Sequence, residues 1–385
     1  MTLRELLGHP VIICCGSGGV GKTSVSAALA LKAALDGKKA VVATIDPARR
    51  LATAMGIESL RNEPRRIAFE GVDLSAMMLD SKRTFDALIL KYASAEVAQQ
   101  ILSNRYYQTI SSKIAGTENY MAMEKLYELH GRNEFETIVL DTPPTRHALD
   151  FLDAPDRMQN MLQESILKWL IRPYFAAGRI SLSFLRRGAD RVVGFVDHIF
   201  GLQFVHDLSD FFRAFTSLYD GFRERSGRVM ELLRSREVAF VAVAAPTAAS
   251  LSEATLLQTT LESRDMNFAG FILNRVHTMP ALAEEDRKRI VESTTDDPEG
   301  PTAALLRNYL SFQDIASRES QLIQAAIDRR LTLTALPILE EDIHDMHSLR
   351  RMAEALESGR VARKRRRGLG PTTHKRKVVG QGGAV

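Results

Sequence analysis

A lysine and a threonine at the end of a glycine-rich turn are the residues best suited to carry chemistry. Residues 16–23 read Gly-Ser-Gly-Gly-Val-Gly-Lys-Thr, which fits the phosphate-binding pattern G-x-x-x-x-G-K-[ST]. Glycines let backbone N–H groups curl around an anion, and a helix N-terminus adds partial positive charge there. We therefore expect Lys22 to reach the β- and γ-phosphates of a nucleoside triphosphate and the Thr23 hydroxyl to bind Mg²⁺. The predicted nucleotide-binding residues here are Gly16, Ser17, Gly18, Gly19, Val20, Gly21, Lys22, Thr23 and Ser24.

Two aspartates follow other apolar segments and are the next candidates. Asp46 comes after the predicted strand Lys39–Thr44, and Asp141 comes after the apolar run Thr137–Leu140. Parallel sheets place their chemistry in loops at the carboxyl ends of strands. An aspartate that ends a strand downstream of a phosphate loop matches the position that holds Mg²⁺, usually through water. We therefore expect Asp141 to join Thr23 at the metal.

The base should be read at a third strand end. The predicted strand Phe268–Leu273 is followed by Asn274 and Arg275, with His277 at the fourth position. A guanine-specific loop of this kind needs a carboxylate at that fourth position. Since His277 offers none, we expect Asn274 to read the adenine amino group and ATP to be favoured. Asn274 and Arg275 are therefore both predicted to bind the nucleotide.

These motifs need an α/β framework to bring them together. Strand Val11–Cys15 precedes the glycine-rich turn and an Ala/Leu-rich helix, Ser24–Asp36, follows it. The strand–helix order repeats along the chain, which predicts a P-loop NTPase with a mainly parallel sheet flanked by helices. Further elements are expected at Leu51–Gly56, Leu74–Leu79, Val238–Ala245, Ser250–Glu262, Ala303–Arg330, Leu331–Leu336 and Asp342–Leu356, with a turn-rich loop at Thr294–Pro301.

An all-helical insertion subdomain is expected from about 81–130 and 151–236, inside a P-loop domain that spans 1–358. Leu, Ile, Tyr and Met recur at three- and four-residue spacing in the first part. The second part is rich in Phe and Arg, and it can be an amphipathic subdomain packed on the sheet or a groove for a hydrophobic partner. The Met77–Met78 and Met121–Met123 clusters are interpreted as core filler. His147 is interpreted as a structural hydrogen-bonding residue.

The composition indicates a soluble globular protein with a basic tail. The chain has 385 residues, 45% of them hydrophobic, and a net charge of +4. Nine Lys and Arg and no acidic residues lie in 359–385, so the rest of the chain is mildly acidic. We expect this tail to be disordered, either contacting nucleic acid or anionic lipid or serving only for solubility. The two cysteines are adjacent, and no leader or membrane span is apparent; we therefore expect a cytoplasmic protein, peripheral at the inner membrane face if its partner is a membrane.

The combined motifs resemble those of the ArsA-type anion-transporting ATPases. The resemblance rests on the phosphate loop, Thr44-Ile45-Asp46-Pro47-Ala48-Arg49, Asp141-Thr142-Pro143-Pro144-Thr145 and Asn274. The same group includes the tail-anchored-protein targeting ATPases and is related to MinD and ParA. The resemblance implies a Mg²⁺-dependent, dimeric ATPase. It further implies that Asp46 orients the attacking water and that residues 141–145 couple the γ-phosphate to the helical subdomain.

Two departures from the family pattern concern catalysis and cargo. The family's loop usually begins Gly-Lys-Gly-Gly, and that lysine reaches the partner's ATP, whereas this chain has Ser17. Arg49, our candidate catalytic residue, or Arg50 is expected to replace it. With Cys14 and Cys15 in a core strand and no Cys-x-x-Cys pair, neither an arsenite thiol site nor a zinc site is expected.

The function expected is hydrolysis of ATP that moves a helical subdomain acting on a protein or membrane partner. A MinD/ParA-like positioning switch with slow hydrolysis is the alternative, and a P-loop kinase is a more distant one.

Overall fold

The computed structural model describes residues 2–45, 49–104, 107, 117–143, 219–280, 282–296, 298, 300–329 and 331–359. Its strands are β1 Val11–Gly16, β2 Ala40–Thr44, β3 Arg65–Ile67, β4 Leu74–Met78, β5 Thr137–Asp141, β6 Val238–Ala244, β7 Phe268–Val276 and β8 Leu333–Pro337. Its helices are α1 Leu3–Leu6, α2 Lys22–Leu35, α3 Arg50–Ala54, α4 Ser81–Tyr92, α5 Ala95–Ser103, α6 Thr117–Gly131, α7 Tyr219–Arg234, α8 Ala248–Ser263, α9 Glu284–Asp296, α10 Pro301–Asp328 and α11 Met346–Ser358.

The strands form one sheet in the order β3-β4-β2-β5-β1-β6-β7-β8. Every pairing is parallel except that of β3 with β4, which is antiparallel. Asp141 of β5 is in register with both Cys14 of β1 and Thr44 of β2. The three central strands therefore end at the same edge of the sheet, which confirms the predicted α/β class and brings together the strand ends from which the motif loops start.

Apolar side chains cover both faces of the sheet. One layer combines α2 and α11 with alternate strand residues, and the other combines α6, α7 and α8 with the remaining ones. All six residues of β1 are buried, as expected of a parallel strand that is covered on both faces. Met77, Met121 and Met123 are buried, and Met78 is half-buried against the core, so the interpretation of these clusters as core residues is confirmed.

Helices α4, α5 and α6 enclose a smaller apolar cluster of their own around Phe85, Ile101 and Tyr120. The helical conformation is interrupted between α4 and α5. Ser94 is the N-cap of α5, and its side chain accepts a hydrogen bond from the Val97 N–H. The greater part of the second helical region, 151–218, and the tail from 360 lie outside the described residues.

Several boundaries differ from those expected. Helix α2 begins at Lys22 rather than Ser24, and β7 extends to Val276 rather than ending at Leu273. Helix α9 ends at Asp296 and so includes the first three residues of the loop expected at Thr294–Pro301. It was missed, as were α1 and β3, because short or highly charged segments carry little hydrophobic periodicity.

Candidate functional site

The glycine-rich turn fits closely against neighbouring backbone, which explains two of its glycines. A Cβ on Gly16 would lie 2.0 Å from the Val243 carbonyl oxygen of β6. Gly21 has a φ of +88° and caps α2, and a Cβ there would lie 2.3 Å from the Asn274 amide nitrogen. Larger residues would push the turn off the sheet, so both glycines fix the path of the loop into α2.

Lys22 lies within the curve of the loop. Its Nζ donates to the Ser17 carbonyl oxygen at 2.8 Å, and the residue is only 8% exposed. Burial lowers the pKa of Lys22, and the positive charge of Arg50 acts in the same direction, against the attraction of Asp141. A bound polyanion would place further negative charge beside this partly desolvated ammonium group. Nearby negative charge favours the charged form of a lysine, so Lys22 is well suited to bind a polyanion.

Asp141 joins two other elements through its carboxylate. Its Oδ2 accepts hydrogen bonds from the Thr23 hydroxyl at 2.8 Å and the Thr44 hydroxyl at 2.9 Å, and the residue is 1% exposed. Thr142 next to it donates to the Cys14 carbonyl oxygen at 2.8 Å, which ties the end of β5 to β1. The predicted pair of Thr23 and Asp141 is therefore brought together, and Thr44 adds a third oxygen that sequence reasoning did not single out.

Asn274 supports the phosphate loop from below. Its Nδ2 donates to the Val20 carbonyl oxygen at 2.9 Å, and the side chain is 5% exposed. Arg275 has a φ of +64°, and its Nη1 lies 3.5 Å from the Gly19 carbonyl oxygen. The register of β7 against β8 shifts between Leu273 and Val276. Such an irregularity re-aims side chains, as bulges beside functional sites do; contact with adenine stays a prediction.

Ser17 has an acidic partner at the mouth of the loop. Its hydroxyl donates to a carboxylate oxygen of Glu253 on α8. Sequence reasoning missed Glu253 because nothing in its local pattern indicates that α8 reaches the loop. The chain thus carries a serine–glutamate contact at the position where the resembling family carries a lysine.

The second aspartate loop is described in part. Asp46 lies outside the described residues, as do Arg146 and His147. Arg49 is exposed, has a φ of +56° and caps α3, and Arg50 begins that helix. Burial is the main cause that lowers the pKa of Lys22, and the positive charge of Arg50 adds to it.

The two cysteines are buried in β1. Cys14 is 0% and Cys15 2% exposed, and burial raises the pKa of both thiols, that of Cys15 to about 11. Buried thiols that stay protonated are poor ligands for soft metals.

Comparison with known proteins gives one family and a set of relatives. The sequence profile of the family described as "Anion-transporting ATPase" matches residues 9–296. "ATPase ASNA1 homolog 2" of Paramecium tetraurelia is 31% identical over 169 residues, which are 43% of this chain and 51% of that protein. "ATPase GET3" of Malassezia globosa is 30% identical over 164 residues, 42% of this chain and 48% of that protein. The chain therefore matches about half the length of these relatives.

Within the described part of the chain, none of the helices has the length and apolar character needed to cross a membrane.

Proposed function

Because the chain belongs to the anion-transporting ATPase family, we propose that it binds ATP at the phosphate loop and hydrolyses it by in-line attack of water on the γ-phosphate. The observation that carries this proposal is the convergence of the loop, Lys22, Thr23 and Asp141 at one sheet edge, with Thr23 2.8 Å from Asp141. Backbone N–H groups of the loop bind the phosphates, and Lys22 neutralises their charge.

The residues present fit a magnesium ion. Hydroxyl and carboxylate oxygens are the ligands that Mg²⁺ prefers, and Thr23 and Asp141 bring both to one point. Thr23 would bind the ion directly and Asp141 would hold it through water. When bound, the ion neutralises charge on the β- and γ-phosphate oxygens.

Water attack needs a group that orients the nucleophile and a cation at the γ-phosphate. We assign the first role to Asp46 and the second to Arg49 or Arg50, which follow it in the same loop. The electrostatic influence of Arg50 on Lys22 supports this assignment. Loss of a cationic contact of this kind costs on the order of 10³-fold or more in rate, so the proposal fails if Arg49→Ala and Arg50→Ala both leave kcat intact.

Base selection is assigned to Asn274. Its amide nitrogen supports the phosphate loop, and its amide oxygen is an acceptor of the kind that the adenine amino group needs. Hydrolysis of ATP and GTP by the purified chain, with and without Asp46→Asn, tests the reaction. We expect phosphate release from ATP in preference to GTP, and a loss of about 10²-fold or more in Asp46→Asn. Equal rates in the variant and the parent would reject Asp46 as the water-orienting residue.

We propose that hydrolysis drives an action on a protein or membrane partner. The active unit is a dimer whose phosphate loops face each other. Hydrolysis moves the helical subdomain, 81–130 and 151–236. Burial of both cysteines argues against a metalloid cargo, so antimonite should not stimulate hydrolysis. We place this activity in the cytoplasm.

A positioning switch is the second candidate, and the basic composition of 359–385 favours it. In that case slow hydrolysis times release from DNA or anionic lipid. Deletion of 359–385 separates the two: loss of binding to DNA or anionic vesicles with unchanged hydrolysis supports the switch. Unchanged binding rejects it.

A further inference from the structure

Helix α10 begins at Pro301, after the last residue that the family profile matches. It is 28 residues long and packs against α9 and the sheet. Its buried polar residues include Gln313 and Glu319. Burial of a carboxylate costs free energy unless the carboxylate is hydrogen-bonded. The hydrogen-bond partners of Glu319 therefore show which segment α10 stabilises.

Glu319 makes two contacts with His277, the residue that follows β7. One carboxylate oxygen accepts from the His277 backbone N–H at 2.7 Å, and the other lies 2.9 Å from His277 Nδ1. Glu319 is 8% exposed. The two contacts fix both the backbone and the ring of a residue that lies three positions after Asn274.

Two further contacts of α10 fall on the same segment. Gln313 donates from its side-chain amide to the Pro280 carbonyl oxygen at 3.0 Å. The Phe312 ring lies 6.0 Å from the His277 ring, centre to centre. Helix α10 therefore contacts residues 277–280 at both ends of the segment and stabilises its position.

The other end of this connection is the phosphate loop. Asn274 donates to the Val20 carbonyl oxygen at 2.9 Å, and its amide nitrogen fills the space beside Gly21. Between the two contacts lies Arg275, held at a φ of +64° that a non-glycine residue rarely adopts. A strained backbone persists only where its surroundings fix it, and the contacts of Glu319 with His277 supply a fixed point two residues after Arg275.

We propose that Glu319 is a positioning residue that sets nucleotide affinity by holding the end of β7 in the register that keeps Asn274 under the phosphate loop. Glu319 touches no nucleotide and acts through His277 and Asn274. The inference rests on the proposed function for its ligand, and it adds a determinant of affinity from a helix outside the family match. Loss of an interaction made equally in the ground state and the transition state raises KM and leaves kcat unchanged.

The test compares Glu319→Ala and Glu319→Gln with Asp314→Asn as matched control. Asp314 lies on the same helix and pairs with Arg287 at 2.9 Å, away from β7. Fluorescent ATP binding and steady-state hydrolysis are measured on the full chain, together with hydrogen exchange of residues 17–25 without nucleotide. We expect Glu319→Ala to weaken ATP binding by about 10-fold or more and to leave kcat within about threefold. Glu319→Gln, which keeps one oxygen acceptor for the His277 N–H, should recover part of the affinity.

The exchange arm separates this inference from the proposed function. We expect the amides of 17–25 to exchange faster in Glu319→Ala than in the parent or in Asp314→Asn, because the loop loses its fixed support. In a double-mutant cycle, Asn274→Ala and Glu319→Ala should be non-additive. Unchanged exchange and unchanged affinity in Glu319→Ala, or additive losses in the cycle, would overturn the inference. Failure of the parent to bind ATP would overturn the proposed function, and exchange would then decide the inference.

Discussion

Asp141 is the residue at which three elements of the site meet. It ends β5, and its Oδ2 accepts from Thr23 at the start of α2 and from Thr44 at the end of β2. The start of α2 and the ends of β2 and β5 are thus tied together by one carboxylate. A carboxylate in this position can both organise the loops and offer oxygens to a hard cation.

Replacing Asp141 by Asn separates these two roles. The amide oxygen can still accept from the Thr23 and Thr44 hydroxyls, whereas the negative charge is lost. We expect the Mg²⁺ concentration for half-maximal hydrolysis to rise about 10–100-fold with little change in Tm. Titration of hydrolysis with MgCl₂ measures this, with Asp73→Asn, at the opposite end of the sheet before β4, as control. A Mg²⁺ dependence that matches the control would remove Asp141 from the metal site.

The cysteines give a prediction that depends on pH. Burial raises the pKa of Cys15 from its ordinary value of 9.0 to about 11, so folding disfavours the thiolate. The contribution to the free energy of unfolding is fully present below about pH 9 and is lost as the pH rises from there towards 11. At about pH 8 we expect neither thiol of the native protein to react with Ellman's reagent and both to react after unfolding in guanidinium chloride. Rapid labelling of the native protein would show that β1 is not buried.

At the scale of elements, the sequence predicted the centre of the site better than its supports. Lys22 and Thr23 were predictable because the loop pattern fixes their position against the start of a helix, and Asp141 because it ends an apolar strand. The contacts of Ser17 with Glu253 and of His277 with Glu319 join residues more than 40 positions apart. They depend on how helices dock on the sheet, and no local pattern encodes that. The irregular end of β7 was missed for the same reason, since its register is set by pairing with β8.

Helices α6 and α7 are joined by a buried ion pair. The Arg225 Nε donates to Glu124 at 2.8 Å and the Tyr120 hydroxyl to the other carboxylate oxygen at 2.6 Å. Glu124 is 1% exposed, and Arg225 lies over the Tyr127 ring at 4.2 Å. Because α6 leads into β5 and α7 leads into β6, this pair joins the two helices that precede these strands of the sheet.

Removal of one partner should be costly because the other charge stays buried. We expect Glu124→Ala to lower the free energy of unfolding by about 3–5 kcal/mol. The matched control is Glu224→Ala on α7, which breaks the exposed pair with Arg228 and should cost less than about 1 kcal/mol. Chemical denaturation measures both. Similar losses in the two variants would show that the buried pair has no special role.

At the scale of the whole molecule, the prediction is assembly. We expect two copies to form the hydrolytic unit, so that the specific rate rises with protein concentration until the dimer saturates. Phosphate release measured across a dilution series, in parallel with the molar mass from light scattering, tests this. A specific rate that stays constant while the protein remains monomeric would contradict the dimer.

The central claim is that the loop around Lys22 holds the triphosphate of ATP. The most direct measurement is Mg·ATP hydrolysis by Lys22→Ala beside Lys91→Ala, an exposed lysine on α4. The account predicts a loss of at least about 10²-fold in kcat/KM for Lys22→Ala and a parental rate for Lys91→Ala. A Lys22→Ala protein that folds and hydrolyses ATP at the parental rate would contradict it.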